Sequence, residues 1–256
     1  MRRVITFRCA GETLIGTLDE GTAATGLLIV SGGNEIRCGA HRGMALLAQR
    51  LATRGTPVFR YDRRGIGDST GENAGFEGAR DDLVAAVSAF RSAAPQLKRI
   101  VGFGNCDAAT ALALSYRDAA IDALVLANPW TVDAADDLPP AAAIRARYVE
   151  RLMDPATYWR ALRGGVDLRK LFRGLLKMSA QRPELSNSLA ARLGAALTAA
   201  TVPVEIVLAR GDATAIAFAD ACSSGLMTHT LDSDSHSFAP VQDQAALEAI
   251  LRKALT

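Results

Sequence analysis

The sequence has few of the residues that build metal centres and disulfide frameworks. Its 256 residues include three histidines and four cysteines, and no two cysteines form a C-x-x-C pair. These numbers and spacings exclude the usual zinc sites and disulfide-rich scaffolds, so we expect no metal ion. Scattered, unpaired cysteines also favour a reducing compartment, and we expect a cytoplasmic protein.

Long apolar runs and a strong charge of one sign are missing too. No segment reaches the roughly 18 consecutive apolar residues of a membrane-spanning helix, and the opening MRRVITFRCAGE lacks the apolar stretch of a signal peptide. Lys and Arg number 29 against 27 for Asp and Glu, which gives a net charge of +2. We therefore expect neither a nucleic-acid partner nor stable membrane insertion. The sequence leaves the oligomeric state open.

The chain does contain alternating strand and helix patterns, and 256 residues suit one domain with a sizeable core. Strand-like runs lie at 3–9, 13–18, 26–31, 56–61, 100–103, 121–128, 202–209 and 226–231, and helical spacing at 44–54, 76–94, 216–223 and 241–254. This alternation predicts an α/β fold with a mostly parallel, eight-stranded, doubly wound sheet. The binding crevice of such a sheet lies at the carboxyl ends of its strands.

The alternation breaks between residues 130 and 201. That stretch has no strand-like run and carries helical patterns around 141–153, 168–178 and 189–199. We predict a helical cap over 130–201, inserted into a core domain formed by 1–129 and 202–256.

The stretch RIVGFGNCDAATALA, residues 99–113, predicts a strand, a tight turn and an alanine-rich helix. Small residues, Gly104 and Ala108, flank the apex and would let strand and helix approach closely. Cys106 lies at that apex, before a helix whose dipole favours a thiolate. A single cysteine in an apolar setting is more often a small core residue, so the corner alone does not establish a nucleophile.

This corner resembles the nucleophile elbow of α/β-hydrolases, G-x-S-x-G, with Cys106 in place of the serine and Ala108 in place of the last glycine. The family order of nucleophile, acid and histidine selects Asp212 and His236, which follow the last two predicted strands. Asp212 would orient the imidazole, and His236 would move the proton. The resemblance therefore implies a Cys106, His236 and Asp212 triad.

Other residues compete for these roles. His229 lies inside the last predicted strand and is expected to be structural, whereas His41 lies at the same sheet edge as the proposed site. Asp232 and Asp234 are less favoured alternatives for the acid. Some hydrolases place the acid one strand earlier, but the residue there is Asn128, which carries no carboxylate.

An oxyanion hole needs two backbone N–H groups aimed at the developing negative charge. By the same resemblance, one is the amide of Asp107, and the other comes from the loop after the third strand, where Gly33 and Asn34 are the candidates. The usual His-Gly pair of that loop is replaced by serine and glycine. A substrate pocket is expected from four residues, of which the first two could equally be structural: His41, Arg42, Trp130 and Trp159.

The sequence DRRGIGDS resembles the D-x-R-G-x-G-x-S turn that follows the fourth strand in α/β-hydrolases, and we expect a structural role for it. Its two glycines lack the third glycine and the helix start of a dinucleotide-binding motif, so we expect no cofactor.

Four stretches resemble one group within the superfamily: SGGNEIRCGAHRG, YDRRGIGDSTGE, GNCDAA and GDATAIAF. They are similar to the type 1 exosortase A system-associated hydrolases, bacterial proteins encoded with exosortase and exopolysaccharide machinery. The resemblance implies a Cys-His-Asp hydrolase and that genomic setting, without a known substrate.

These features predict an acyl hydrolase of the carboxylesterase or thioesterase type, acting on a small-molecule ester or thioester. Two alternatives stay open. A cysteine nucleophile also passes acyl groups on readily, so the protein could be an acyltransferase. It could also be a non-catalytic scaffold of the same fold, in which the cysteine would alkylate no faster than an ordinary thiol.

Overall fold

A computed structural model describes residues 1–133, 188–222 and 225–256. Over these residues the chain forms eight strands: β1 (Arg2–Cys9), β2 (Glu12–Asp19), β3 (Thr25–Val30), β4 (Val58–Tyr61), β5 (Arg99–Asn105), β6 (Ala123–Ala127), β7 (Val204–Ala209) and β8 (Met227–Leu231). Six α-helices and one short 3-10 helix (Ala40–Arg42) accompany them. The α-helices are α1 (Gly43–Ala52), α2 (Arg80–Ala93), α3 (Asp107–Ser115), α4 (Leu189–Thr198), α5 (Ala213–Ala221) and α6 (Val241–Ala254).

All eight strands belong to one sheet in the order β1-β2-β4-β3-β5-β6-β7-β8. β1 and β2 form an antiparallel hairpin, β2 pairs antiparallel with β4, and every other neighbouring pair is parallel. The predicted eight-stranded, mostly parallel α/β sheet is confirmed. Because the parallel strands run the same way, the loops that follow β3, β5, β6, β7 and β8 meet at one edge.

Side chains along the central strands alternate between the two faces of the sheet, as the two-residue period requires. In β3, Leu27 and Ile29 pack on one face, and Leu28 and Val30 pack on the other. The first face is covered by α1 and α6, and the second by α2, α3, α4 and α5. Since both faces are buried, the central strands are nearly continuous apolar runs.

Two helix boundaries differ from the sequence expectation. The helix expected from residue 76 begins at Arg80 and has Asp81 and Asp82 in its first turn, where acidic side chains favour a helix start. The helix expected from residue 216 begins at Ala213, because the Asp212 side chain accepts the amides of the first turn and caps it.

The predicted cap lies largely outside the described residues, including its expected helices at 141–153 and 168–178 and Trp159. The described part includes α4, which matches the helix expected at 189–199. The Ser188 side chain caps it by accepting the amide of Ala191. Leu193 and Leu197 of α4 are buried in the same apolar cluster as the sheet residues, so this helix packs on the core.

Within the described ranges, no helix is long and apolar enough to cross a membrane. The same residues contain no cluster of three or more histidine, cysteine, aspartate or glutamate side chains arranged to hold a metal ion.

Candidate functional site

The corner between β5 and α3 holds Cys106 in a strained backbone conformation. Its φ is 62° and its ψ is −127°, values that a non-glycine residue rarely adopts and that persist only where the surroundings enforce them. A Cβ at Gly104 would lie 2.8 Å from the carbonyl oxygen of Ala108, so only glycine allows this approach of strand and helix. The predicted elbow geometry is therefore present.

Backbone hydrogen bonds hold Cys106 in place from both sides. Its N–H donates to the carbonyl of Ala127 at the end of β6 over 2.9 Å, and its carbonyl accepts from the N–H of Trp130 over 3.2 Å. Its carbonyl also accepts the amide of Ala109 over 3.1 Å, which starts α3. The residue as a whole is partly exposed.

An aspartate and histidine pair faces this thiol from the neighbouring strand ends. His236, in the loop after β8, lies with its Nδ1 3.0 Å from Oδ1 of Asp212. Asp212, just after β7, is 8% exposed. Its other oxygen accepts the amides of Thr214 and Ala215 over 3.1 and 3.0 Å. One carboxylate therefore orients the imidazole and caps α5 at the same time.

The pKa values of both partners favour their charged forms. The hydrogen bond to Asp212 and then the one to Cys106 raise the pKa of His236 to about 10, against the opposing effect of burial. Burial disfavours ionisation of Asp212, but hydrogen bonds from His236, Ala215 and Thr214 hold the pKa of its carboxyl below its ordinary value. Both shifts favour a protonated imidazole paired with an ionised carboxylate.

The candidate oxyanion donors lie beside the elbow. The amide of Asp107 is the first in α3 and has no acceptor within the helix. The N–H of Gly33 donates to Oδ1 of Asp107 over 2.7 Å, so a carboxylate of the protein occupies it. Asn34 is exposed, and its Oδ1 accepts from Asn73 over 3.0 Å.

A buried arginine completes this contact, and the sequence analysis did not single it out. Arg63 is 3% exposed, and its guanidinium donates to the carbonyl of Gly33. The same group lies 3.8 Å from Oδ2 of Asp107. The only sequence signal was the first arginine of DRRG, which lies at the position that the family turn leaves unspecified.

The expected pocket residues that the structure describes differ in exposure and in how close they lie to the elbow. His41 and Arg42 are exposed and both have left-handed backbone angles, with φ of 51° and 61°. His41 borders a small cavity together with Ser237 and Phe238, the two residues after the candidate histidine. Trp130 lies next to the elbow through its backbone. Trp159 is outside the described residues.

Residues that were set aside at the sequence level have structural contacts. His229 pairs with Glu205 on the adjacent strand, with Nε2 and Oε2 2.8 Å apart. Asp232 is exposed and lies 3.5 Å from Arg210. In the turn after β4, fully buried Asp62 accepts the amides of Arg37 and Asp68, which agrees with the structural role expected for that motif.

Comparison with known proteins agrees with this architecture. The chain resembles the esterase of Pyrococcus furiosus with a TM-score of 0.62 and 16% identity, over 100% of this chain and 94% of the other. It resembles the α/β hydrolase GrgF from Penicillium sp. sh18 with a TM-score of 0.64 and 17% identity, over 100% and 99% of the two chains. It resembles the thioesterase domain from the curacin biosynthetic pathway with a TM-score of 0.58 and 13% identity, over 99% of each.

At such identities these likenesses show the fold, which is that of the α/β-hydrolases. The sequence adds the family: residues 24–210 match the serine aminopeptidase S33 family, and the chain belongs to it. The protein is therefore a hydrolase. It carries Cys106 where the elbow motif of these proteins has a serine. No curated protein matches the chain by sequence.

Proposed function

We propose that the protein is an acyl hydrolase that cleaves an ester or a thioester, with Cys106 as the nucleophile. The observation that carries the proposal is the Asp212 and His236 pair, whose Oδ1 and Nδ1 lie 3.0 Å apart. The imidazole is also close enough to Cys106 for the thiol to contribute to the raised pKa of His236. The printed names of two structural neighbours, an esterase and a thioesterase domain, support the same bond types.

The reaction has two steps. In the first, the Cys106 thiolate attacks the acyl carbon, and the bond to the leaving group breaks as the His236 imidazolium donates a proton to the leaving alcohol or thiol. In the second, a water molecule attacks the thioester carbon, gives its proton to His236, and releases the acid while Cys106 returns to the thiolate. Asp212 stabilises the imidazolium in both steps.

The negative charge on the acyl oxygen needs two backbone donors. The amide of Asp107 supplies the first. Gly33 supplies the second only if the Asp107 carboxylate leaves its N–H, to which it is bonded over 2.7 Å in this structure. Asn34 is the alternative donor. In this proposal Trp130, Trp159, His41 and Arg42 border the substrate.

The sequence resemblance to the exosortase A system-associated hydrolases supports a further part of the proposal. It suggests that the protein acts alongside exosortase and exopolysaccharide machinery, on a small-molecule acyl substrate of that setting. The charge balance of +2 gives no reason to invoke a nucleic acid.

The test is the intact mass of the wild type and of Cys106→Ser after mixing with short p-nitrophenyl esters, with release of nitrophenol followed in parallel. A hydrolase should show a transient acyl adduct on the wild-type protein and continuous release. An adduct that forms once and persists would indicate an acyltransferase that awaits an acceptor. If no adduct forms and Cys106 alkylates no faster than Cys38, the scaffold alternative is favoured.

The pH dependence of cleavage gives a second check. Because the pKa of His236 is raised to about 10, the imidazolium needed for leaving-group protonation persists into alkaline solution. We expect kcat/KM to fall only as the pH rises through about 10, where that proton is lost. A fall centred on the ordinary histidine value of 6.5 would contradict the pairing with Asp212 and Cys106.

A further inference from the structure

Two asparagines at neighbouring strand ends contact the backbone of the candidate histidine. Asn105 is the last residue of β5, directly before Cys106, and Asn128 follows β6. Asn128 is fully buried, and its φ of 41° is left-handed. A buried amide is retained in a core only where its donors and acceptors are satisfied, so its partners indicate what it does.

The orientation of the Asn128 amide follows from one contact. Its Oδ1 accepts the backbone N–H of Ala209 over 2.9 Å, and a backbone N–H can only donate. The Nδ2 of Asn128 must then point the other way. It donates to Oδ1 of Asn105 over 3.2 Å and to the carbonyl of His236 over 3.2 Å.

The Asn105 amide is oriented in turn by Asn128. Since its Oδ1 accepts from Asn128, its Nδ2 is the group that faces the histidine loop, and it donates to the carbonyl of His236 over 2.9 Å. The carbonyl of His236 therefore receives two hydrogen bonds. These contacts connect the ends of β5, β6 and β7 to a loop that follows β8.

We propose that Asn105 and Asn128 form a clamp that positions His236 relative to Cys106. They are positioning residues, since they touch the backbone of the histidine and not the reacting atoms. The inference rests on the proposed function, in which His236 must reach both Asp212 and the thiol. Asn105 joins the elbow and the histidine loop most directly, because it precedes Cys106 in the chain and donates a hydrogen bond to the carbonyl of His236.

The physical reason is that the reaction tolerates little misplacement of its catalytic groups. A shift of about 1 Å in a catalytic group can lower the rate about 100-fold. The histidine loop also has internal bonds, from the amide of Ser235 to Ser233 and from the amide of Ala239 to Ser235. Those bonds shape the loop, whereas the clamp sets its distance from the elbow.

The test compares Asn105→Ala with the wild type. Asn105 is partly exposed, so this variant is expected to fold. Asn128→Ala is a second variant, which should also lower kcat. We expect kcat on a p-nitrophenyl ester to fall about 100-fold with KM within about threefold. Gln96→Ala is the matched control, because it removes another side-chain amide bond to a backbone carbonyl, that of Gly21, and should leave kcat unchanged.

A titration of the histidine ring protons by NMR separates the clamp from the chemistry. The chain has only three histidines, so His236 can be assigned by comparison with a His236→Gln sample. In Asn105→Ala its pKa should fall from about 10 toward 6.5, because the bonds to Asp212 and Cys106 loosen.

An unchanged pKa of His236 together with unchanged kcat would overturn the clamp. If instead no ester is cleaved by the wild type but the pKa of His236 still falls in Asn105→Ala, the clamp stands and the proposed function fails. These two results are distinct because the titration needs no substrate.

Discussion

Cys106→Ala is expected to lower ester turnover by about 10⁴-fold or more, with the fold unchanged. The substitution removes the sulfur that contributes to the raised pKa of His236. Without this sulfur, no covalent acyl intermediate can form on residue 106. Any residual rate acceleration then comes from substrate binding and the oxyanion donors. Alanine suits the site because it carries a Cβ as cysteine does, so it adds no strain at the φ of 62°. The backbone hydrogen bonds that hold the corner do not involve the side chain.

Two controls make this result specific. Cys222→Ala removes another free cysteine, one whose pKa is raised by burial, and should leave turnover at the wild-type level. Thermal unfolding of Cys106→Ala should match the wild type. Wild-type turnover in Cys106→Ala would show that the nucleophile is a different residue.

Asp212→Asn is expected to lower turnover by about 10³- to 10⁴-fold while keeping the protein stable. The asparagine oxygen can still accept the amides of Thr214 and Ala215, so the cap of α5 is retained. Its NH₂ group would then face Nδ1 of His236, which must become the acceptor. The imidazole is forced into the tautomer that carries its proton on Nε2, and it loses its stabilising charge.

The pH profile distinguishes this effect from a general loss of structure. Because the hydrogen bond to Asp212 is the largest cause of the raised pKa of His236, the alkaline limb of kcat/KM should move to lower pH in Asp212→Asn. Asp232→Asn is the matched control, since Asp232 lies exposed at the same sheet edge and contacts Arg210 instead. Equal losses in the two variants would contradict the assignment of the acid.

Much of the fold could be predicted because local sequence patterns encode it. The apolar runs specified which segments become buried strands, and the small residues around Cys106 specified a corner that larger side chains would block. The order of cysteine, aspartate and histidine along the chain led to a pair that the structure brings to 3.0 Å. That prediction required the order of triad residues in the resembling α/β-hydrolases, together with the rule that parallel strands end at one edge.

Helix starts were less predictable. The start of α5 depends on the Asp212 side chain, which accepts two amides of the first turn. The same carboxylate also binds His236. Either role alone would account for an aspartate at this position, so the sequence pattern could not reveal that it has both. The partner of the Gly33 amide was equally unpredictable from the sequence. It donates to the carboxylate of Asp107, a residue 74 positions away.

The sequence by itself determined the strand and helix pattern and the small residues of the elbow, because these depend on residue type and on period. The candidate triad followed from the resemblance to the α/β-hydrolases. Only the tertiary structure decided the partners of polar groups: the carboxylate of Asp107 on Gly33, buried Arg63 beside them, and the asparagine clamp on His236. The bond from Asn105 to His236 spans 131 positions. Hydrogen bonds of this kind are short and directional, so they exist only once the chain has folded and brought distant residues within about 3 Å.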